Sequence, residues 1–101
     1  MNHDISKLNK AFESRIRIGI MYILMVNDRV EFSVLKEMLT ITDGNLSSHI
    51  SALEKLKFIE ITKQFVGKKP NTSYKATENG MRAFNDHLDA LELLIKARKS
   101  F

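Results

Sequence analysis

Scattered histidines, a group of small polar residues and a knot of lysines are the side chains here whose chemistry could serve a ligand. His3, His49 and His87 lie too far apart to form a zinc site by sequence spacing. The absence of cysteine removes disulfides, thiolate metal sites and thiol redox sensing. There is no Gly-rich phosphate loop and no activated nucleophile with a base nearby in sequence, so neither catalysis nor a cofactor or metal is expected. Asn45, Ser47, Ser48 and Ser51 offer something else: short side chains that donate and accept hydrogen bonds without bulk. Lys63, Lys68, Lys69 and Lys75 follow in a short segment that contains no acid.

The charge count makes that local grouping significant. Residues 43–76 carry six basic and three acidic groups, against six and five in 1–42 and four and four in 77–101, so most of the +4 excess sits in the middle third. A confined positive patch suits a polyanion. Charge alone fits a solvated basic hairpin equally well, and the choice between them rests on the elements that carry these residues.

Apolar residues at Leu8, Phe12, Ile16, Ile20, Ile23 and Leu24 have the three-and-four spacing of a helix from Ser6 to about Val26, ended by Asn27-Asp28. Val30-Glu31-Phe32 is long enough for one strand-like bridge. Ser33 is the expected cap of a second helix carrying Leu35, Met38 and Leu39. After a break at Thr40–Gly44, Thr42 or Asp43 caps a third helix to about Lys57. On it Leu46, Ile50, Leu53 and Leu56 fall on one side, and Ser47, Ser48, Ser51 and Lys55 on the other. The period then changes to two, with Ile59, Ile61 and Phe65 alternating with Glu60, Thr62 and Gln64. A turn over Val66–Asn71 and a returning strand over Thr72–Ala76 complete a basic hairpin. Thr77 caps a last helix striped by Met81, Phe84, Leu88, Leu91 and Ile95.

A chain of 101 residues with 44% hydrophobic and 28% charged residues is expected to make one globular domain, without room beside its core for a second domain or a substrate pocket. The apolar stretch Ile16–Val26 is interrupted by Arg17 and Gly19 and is far short of a bilayer span. No secretory signal pattern opens the sequence, so a cytoplasmic protein without membrane contact is expected.

The order helix, bridge, helix, tight turn, helix, hairpin, helix is that of a winged helix-turn-helix. Leu46-Ser47-Ser48-His49-Ile50-Ser51-Ala52-Leu53-Glu54-Lys55-Leu56-Lys57-Phe58-Ile59 resembles the recognition-helix stretch of ArsR-like and MarR-like regulators. Phe65-Val66-Gly67-Lys68-Lys69-Pro70-Asn71-Thr72-Ser73-Tyr74-Lys75-Ala76-Thr77-Glu78-Asn79-Gly80 is similar to their wing and following helix start. The likeness covers roughly Leu8 to Leu94. One departure is Lys57-Phe58, where many relatives have a glycine closing the recognition helix. The resemblance implies an α+β, mostly α winged helix-turn-helix with a three-helix core, a two-stranded wing and a long C-terminal helix. The implied activity is that of a homodimeric transcriptional regulator, a repressor by preference, binding double-stranded DNA. A helix about 43–57 would enter the major groove, and the wing, 66–72, would lie on backbone or minor groove.

The residues support that expectation independently. A helix entering the major groove needs small polar side chains on its outer face near its N-terminus, as Asn45, Ser47, Ser48 and Ser51 provide, with Lys55 further along. Lys68 and Lys69, then Asn71 and Thr72, are the wing candidates. His49, at the edge of the apolar face, is expected to pack or bond to a neighbouring turn. Arg15 and Arg17 are expected in salt bridges rather than on phosphate. The last helix, 77–100, carries Ala90, Leu93 and Leu94 beside its stripe, which is more apolar surface than one small core needs. A dimer through Phe84, Leu88, Leu91 and Ile95 is expected. An unidentified small-molecule effector is compatible with this reading. The rivals are a winged helix that binds protein or RNA, and a metal-responsive repressor drawing on Asp86, His87 and Glu92.

Overall fold

The computed structural model describes residues 5–99. Helices α1 (Arg15–Val26), α2 (Phe32–Leu39), α3 (Asp43–Lys55) and α4 (Glu78–Arg98) are interleaved with strands β1 (Val30–Glu31), β2 (Ile59–Val66) and β3 (Lys69–Ala76). The strands form one antiparallel sheet in the order β1-β3-β2. This is the expected winged helix-turn-helix, with the short β1 adding a third strand at the base of the wing.

The first helix begins later than the apolar spacing predicts. Residues 5–7 and 10–12 form two 3-10 turns, and the α-helix starts only at Arg15. Asn9 takes the Ala11 amide on its side chain, and Ser14 accepts from the Ile16 and Arg17 amides. Each side chain thereby opens a new turn where a continuous helix would need the same amides for itself. Ser33 likewise lies inside α2, whose cap residue is Glu31 and makes no side-chain bond. Met38 and Leu56, expected on buried faces, are exposed.

The turns that precede and follow α3 each contain a residue in the left-handed region. Thr40, φ 53°, closes α2, with the Ile41 amide bonded to the Lys36 carbonyl at 3.4 Å. Thr42 then caps α3 by accepting from the Asn45 amide. At the far end Lys57, φ 61°, occupies the position where the resemblance leads one to expect glycine. Its amide bonds to the Glu54 carbonyl at 2.8 Å, and that of Phe58 to the Leu53 carbonyl at 3.0 Å. That bond pair is the Schellman closure, so the turn survives with a lysine in a conformation that glycine adopts without strain.

Phe12 sits at the centre of the core. Its ring stacks on Phe58 (5.6 Å), meets Phe84 edge-on (5.2 Å) and lies against His87 (5.3 Å), joining the N-terminal turns to the start of β2 and to α4. Around it pack Ile16, Ile20 and Leu24 of α1, Leu35 of α2, and Leu46, Ile50 and Leu53 of α3. Each such side chain stabilises the fold by about 1.5–3 kcal/mol when fully buried. Two histidines add polar ties. The Asn9 amide donates to Nδ1 of His87 at 2.9 Å, and Nε of Arg17 donates to Nδ1 of His49 at 3.1 Å, fastening α1 to α3.

The junction between α3 and α4 is equally tight. Thr77 donates its hydroxyl to the Lys57 carbonyl (2.7 Å) and its amide to the Phe58 carbonyl (3.0 Å), and its hydroxyl oxygen accepts from the Gly80 amide (2.9 Å). A Cβ on Gly80 would overlap the Phe58 carbonyl, lying 2.7 Å from its carbon. Gly80→Ala is therefore expected to destabilise the domain by at least about 1–3 kcal/mol, as backbone rather than a movable side chain must yield. A urea midpoint unchanged from wild type would contradict this.

Burial lowers the pKa of both His49 and His87; Arg17 adds to the effect at His49, whereas Glu13 opposes it at His87. With folded values below the ordinary 6.5, the unfolded chain protonates first as pH falls. Stability is thus full above about pH 6.5 and declines as pH drops through the folded values. The urea midpoint should fall between about pH 7.5 and 5.5, the titration window of histidine, and fall less in the His49→Gln/His87→Gln variant. Equal falls would refute the assignment.

Candidate nucleic-acid interface

Burying Leu46, Ile50 and Leu53 turns the opposite face of α3 outward, and Asn45, Ser47, Ser48, Ser51 and Lys55 are all exposed there. Among the described residues the side chains of Asn45 and the three serines have no hydrogen-bond partner within the protein, so their donors and acceptors are available to a ligand. The N-terminus of α3 adds its own amides and the positive end of the helix dipole. Asp43 in that first turn would oppose a phosphate, but Lys36 of α2 holds its carboxylate at 2.8 Å. That ion pair crosses the helix-turn-helix and offsets the local negative charge.

The wing departs from the predicted turn over Val66–Asn71. The connection is only Gly67-Lys68, because Val66 already pairs with Lys69 and β3 begins there. Gly67 at φ 65° supplies the left-handed residue that a two-residue hairpin requires. Pro70 is tolerated in the strand for a reason visible in the register. The pair flanking a two-residue turn is hydrogen-bonded, so the next pair, Phe65 with Pro70, is not, and Pro70 faces away from β2. β1 pairs with Ser73 and Tyr74, so among the described residues no strand lies on that side of Pro70.

Lys68 and Lys69 are exposed at the tip, whereas Asn71 and Thr72 are half-buried further down the strand. Lys63 is also exposed, and none of these three lysines pairs with a carboxylate among the described residues. At the base of the wing Arg29 bonds to Thr62, reaches Ser73 at 3.5 Å and approaches Glu60 at 3.9 Å. This brace between the α1–β1 loop and the outer face of the hairpin is not apparent in the sequence, since Arg29 is far from both strands along the chain.

Other expectations distribute differently. His49 does bond to a neighbouring element. Its partner Arg17 thus serves a neutral histidine rather than the salt bridge expected for it. Of the expected dimer residues, Phe84 is turned inward against Phe12, because positions 80, 84 and 87 share the core-facing side of α4. Leu88 and Ile95 are exposed and Leu91 is half-buried on the flank. Nδ1 of His87 is engaged by Asn9, and among the described residues no three His, Asp or Glu side chains cluster as metal ligands. No described helix is long and apolar enough to cross a membrane.

Comparison with known proteins agrees with this geometry. An uncharacterized protein of Methanocaldococcus jannaschii is 37% identical over 79 residues, covering 78% of this chain and 86% of its own. The structure of a transcriptional regulator homologue from Pyrococcus horikoshii OT3 superposes with a TM-score of 0.76 at 30% identity, over 92% of this chain and 97% of that one. The YusO protein of Bacillus subtilis shares the fold at a TM-score of 0.81 and 14% identity, over 95% and 67% of the two chains. A PadR-like transcription factor and a MarR family member share it at TM-scores of 0.74 and 0.65. The model of the winged helix DNA-binding domain family matches residues 16–95. With that match spanning most of the sequence, and with the helix-turn-helix and wing built as described, the chain belongs to the winged helix DNA-binding domain family.

Proposed function

We propose that the protein is a sequence-specific, double-stranded DNA-binding regulator that works in the cytoplasm as a homodimer and acts by binding, not by catalysis. The observation that carries this reading is a pair of open surfaces on elements consecutive in the chain, α3 and the β2–β3 hairpin. The outer face of α3 presents unpartnered small polar groups, and the strand that follows it leads to lysines with no acid beside them. In the proposed complex Asn45, Ser47, Ser48 and Ser51 approach base edges in the major groove, with Lys55 on the backbone. Lys68 and Lys69 neutralise phosphates flanking that site, helped by Asn71 and Thr72. Repression then follows from occupying a promoter.

The homodimer is supported by the shape of α4. Its 21 residues span about 31 Å at 1.5 Å per residue, yet Ala90 is its last buried residue. Beyond the core it carries Leu88, Leu93 and Ile95, which are 41%, 45% and 49% exposed. The radius of gyration, 15.6 Å, exceeds the roughly 13 Å of a compact domain of this length. A second copy along this helix, over Leu88, Leu91 and Ile95, would cover the apolar stretch and set two α3 helices at a fixed distance.

Two measurements test these parts separately. Removing a lysine that neutralises one phosphate lowers the slope of log K against log[salt] by about 0.9, so Lys68→Ala/Lys69→Ala should reduce it by nearly 2 in an anisotropy salt titration. Affinity should drop to a similar extent on specific and random duplexes, and an unchanged slope would take the wing off the DNA. Leu88→Glu/Leu91→Glu should sediment as a folded monomer with weakened binding to its preferred site. Wild-type protein that sediments as a monomer at high concentration would contradict the dimer.

A further inference from the structure

The wing carries apolar groups that its own domain does not use. By register, Ile59/Ala76, Ile61/Tyr74, Lys63/Thr72 and Phe65/Pro70 share one face of the hairpin. At its base this face is core: Ile59, Tyr74 and Ala76 are buried, and Ile61 packs against them. Toward the tip the same face becomes exposed at Lys63, Phe65 and Pro70. Phe65 is 74% exposed there, beside Pro70, and Val66 on the reverse face is 61% exposed. A ring so exposed at a hairpin tip adds little to the core, and solvent-facing tips ordinarily carry polar residues.

The surroundings identify what the ring is for. Lys63 lies on the face of Phe65, Lys68 is in the turn, Lys69 pairs with Val66, and no acid occurs between Glu60 and Glu78. An apolar point ringed by unpaired cations complements the minor groove, where phosphate rails border apolar sugars and base stacks. β2 continues directly from the closure of α3, so a duplex held by α3 is the surface the tip would meet in the reading above.

We propose that Phe65 is a wedge. In the complex its ring, backed by Pro70 and anchored by Lys63 and Lys68, enters the minor groove flanking the α3 site and partly unstacks one base step, bending the duplex. This rests on the DNA-binding reading above and adds a residue that determines specificity. Flexible pyrimidine–purine steps open most easily, so they are preferred at the flank although no side chain reads their edges.

The test uses the full chain and an approximately 30-bp duplex that the wild type selects from a random library, a length spanning two half-sites with flanks. Anisotropy reports binding, and energy transfer between end labels reports bending. Wild type should bend the duplex by about 20–90°. Phe65→Ser, an exposed change that spares the fold, should bind about tenfold more weakly and leave the DNA straight. Phe65→Leu should restore the bend. Tight wild-type binding to straight DNA, or an unaltered bend with Phe65→Ser, overturns the wedge and leaves the α3 reading standing. Failure of wild type to bind any duplex overturns both. Phe65-dependent binding to phosphatidylserine vesicles, with the DNA bend unaffected by the substitution, would assign the tip to a lipid surface and overturn the wedge.

Discussion

Residue 80 approaches the Phe58 carbonyl so closely that no side chain fits between them, and much of the molecule is arranged by that contact. Phe58 terminates α3 and begins the approach to β2, while Gly80 lies in the first turn of α4. Thr77 closes the same point with bonds to the Lys57 and Phe58 carbonyls, and Phe12 seals it by packing on Phe58 and Phe84 together. The proposed DNA-reading helix, the wing and the proposed dimer helix thus diverge from one fixed junction. If two copies pair along α4, the spacing of their α3 helices is inherited from this junction rather than from a flexible linker.

Charge is partitioned over the same framework. Among the described residues Lys63, Lys68 and Lys69 of the wing have no acidic partner, and Asp43, the one acid in the first turn of α3, pairs with Lys36. Asp86, Asp89 and Glu92 are on α4, where Lys96 meets Glu92 at 2.9 Å. With Arg82, Lys96 and Arg98 nearly balancing the acids of α4, a polyanion is attracted more strongly to the wing than to the helix proposed for self-association.

Much of the fold was legible because it depends on local patterns: the apolar rhythm of α3 and α4, the change of period at Ile59, and the caps Thr42 and Thr77. What escaped depends on contacts distant in sequence or on competition within a turn. Asn9 and Ser14 break the first helix because their side chains take amides that periodicity alone assigns to a helix. The wing turn is shorter than its composition implies because Gly67 suffices, and Pro70 is harmless once the register turns it outward. Phe84 shares the helical stripe of Leu88 and Leu91, but only the position of Phe12 decides that it faces inward. Arg29, which braces the wing, gives no local signal. The polar face of α3 was visible beforehand, as its five residues lie opposite three buried leucine and isoleucine positions.

The DNA-reading proposal requires α3 to lie in the major groove, and methylation interference tests this most directly. Dimethyl sulfate marks guanine N7 in the major groove and adenine N3 in the minor groove of a duplex selected by the protein. With α3 in the major groove, N7 methylation should block binding in two half-sites about 10 bp apart, one for each α3 of the dimer, with N3 methylation blocking only at their flanks. Binding indifferent to N7 methylation throughout the protected region would contradict it.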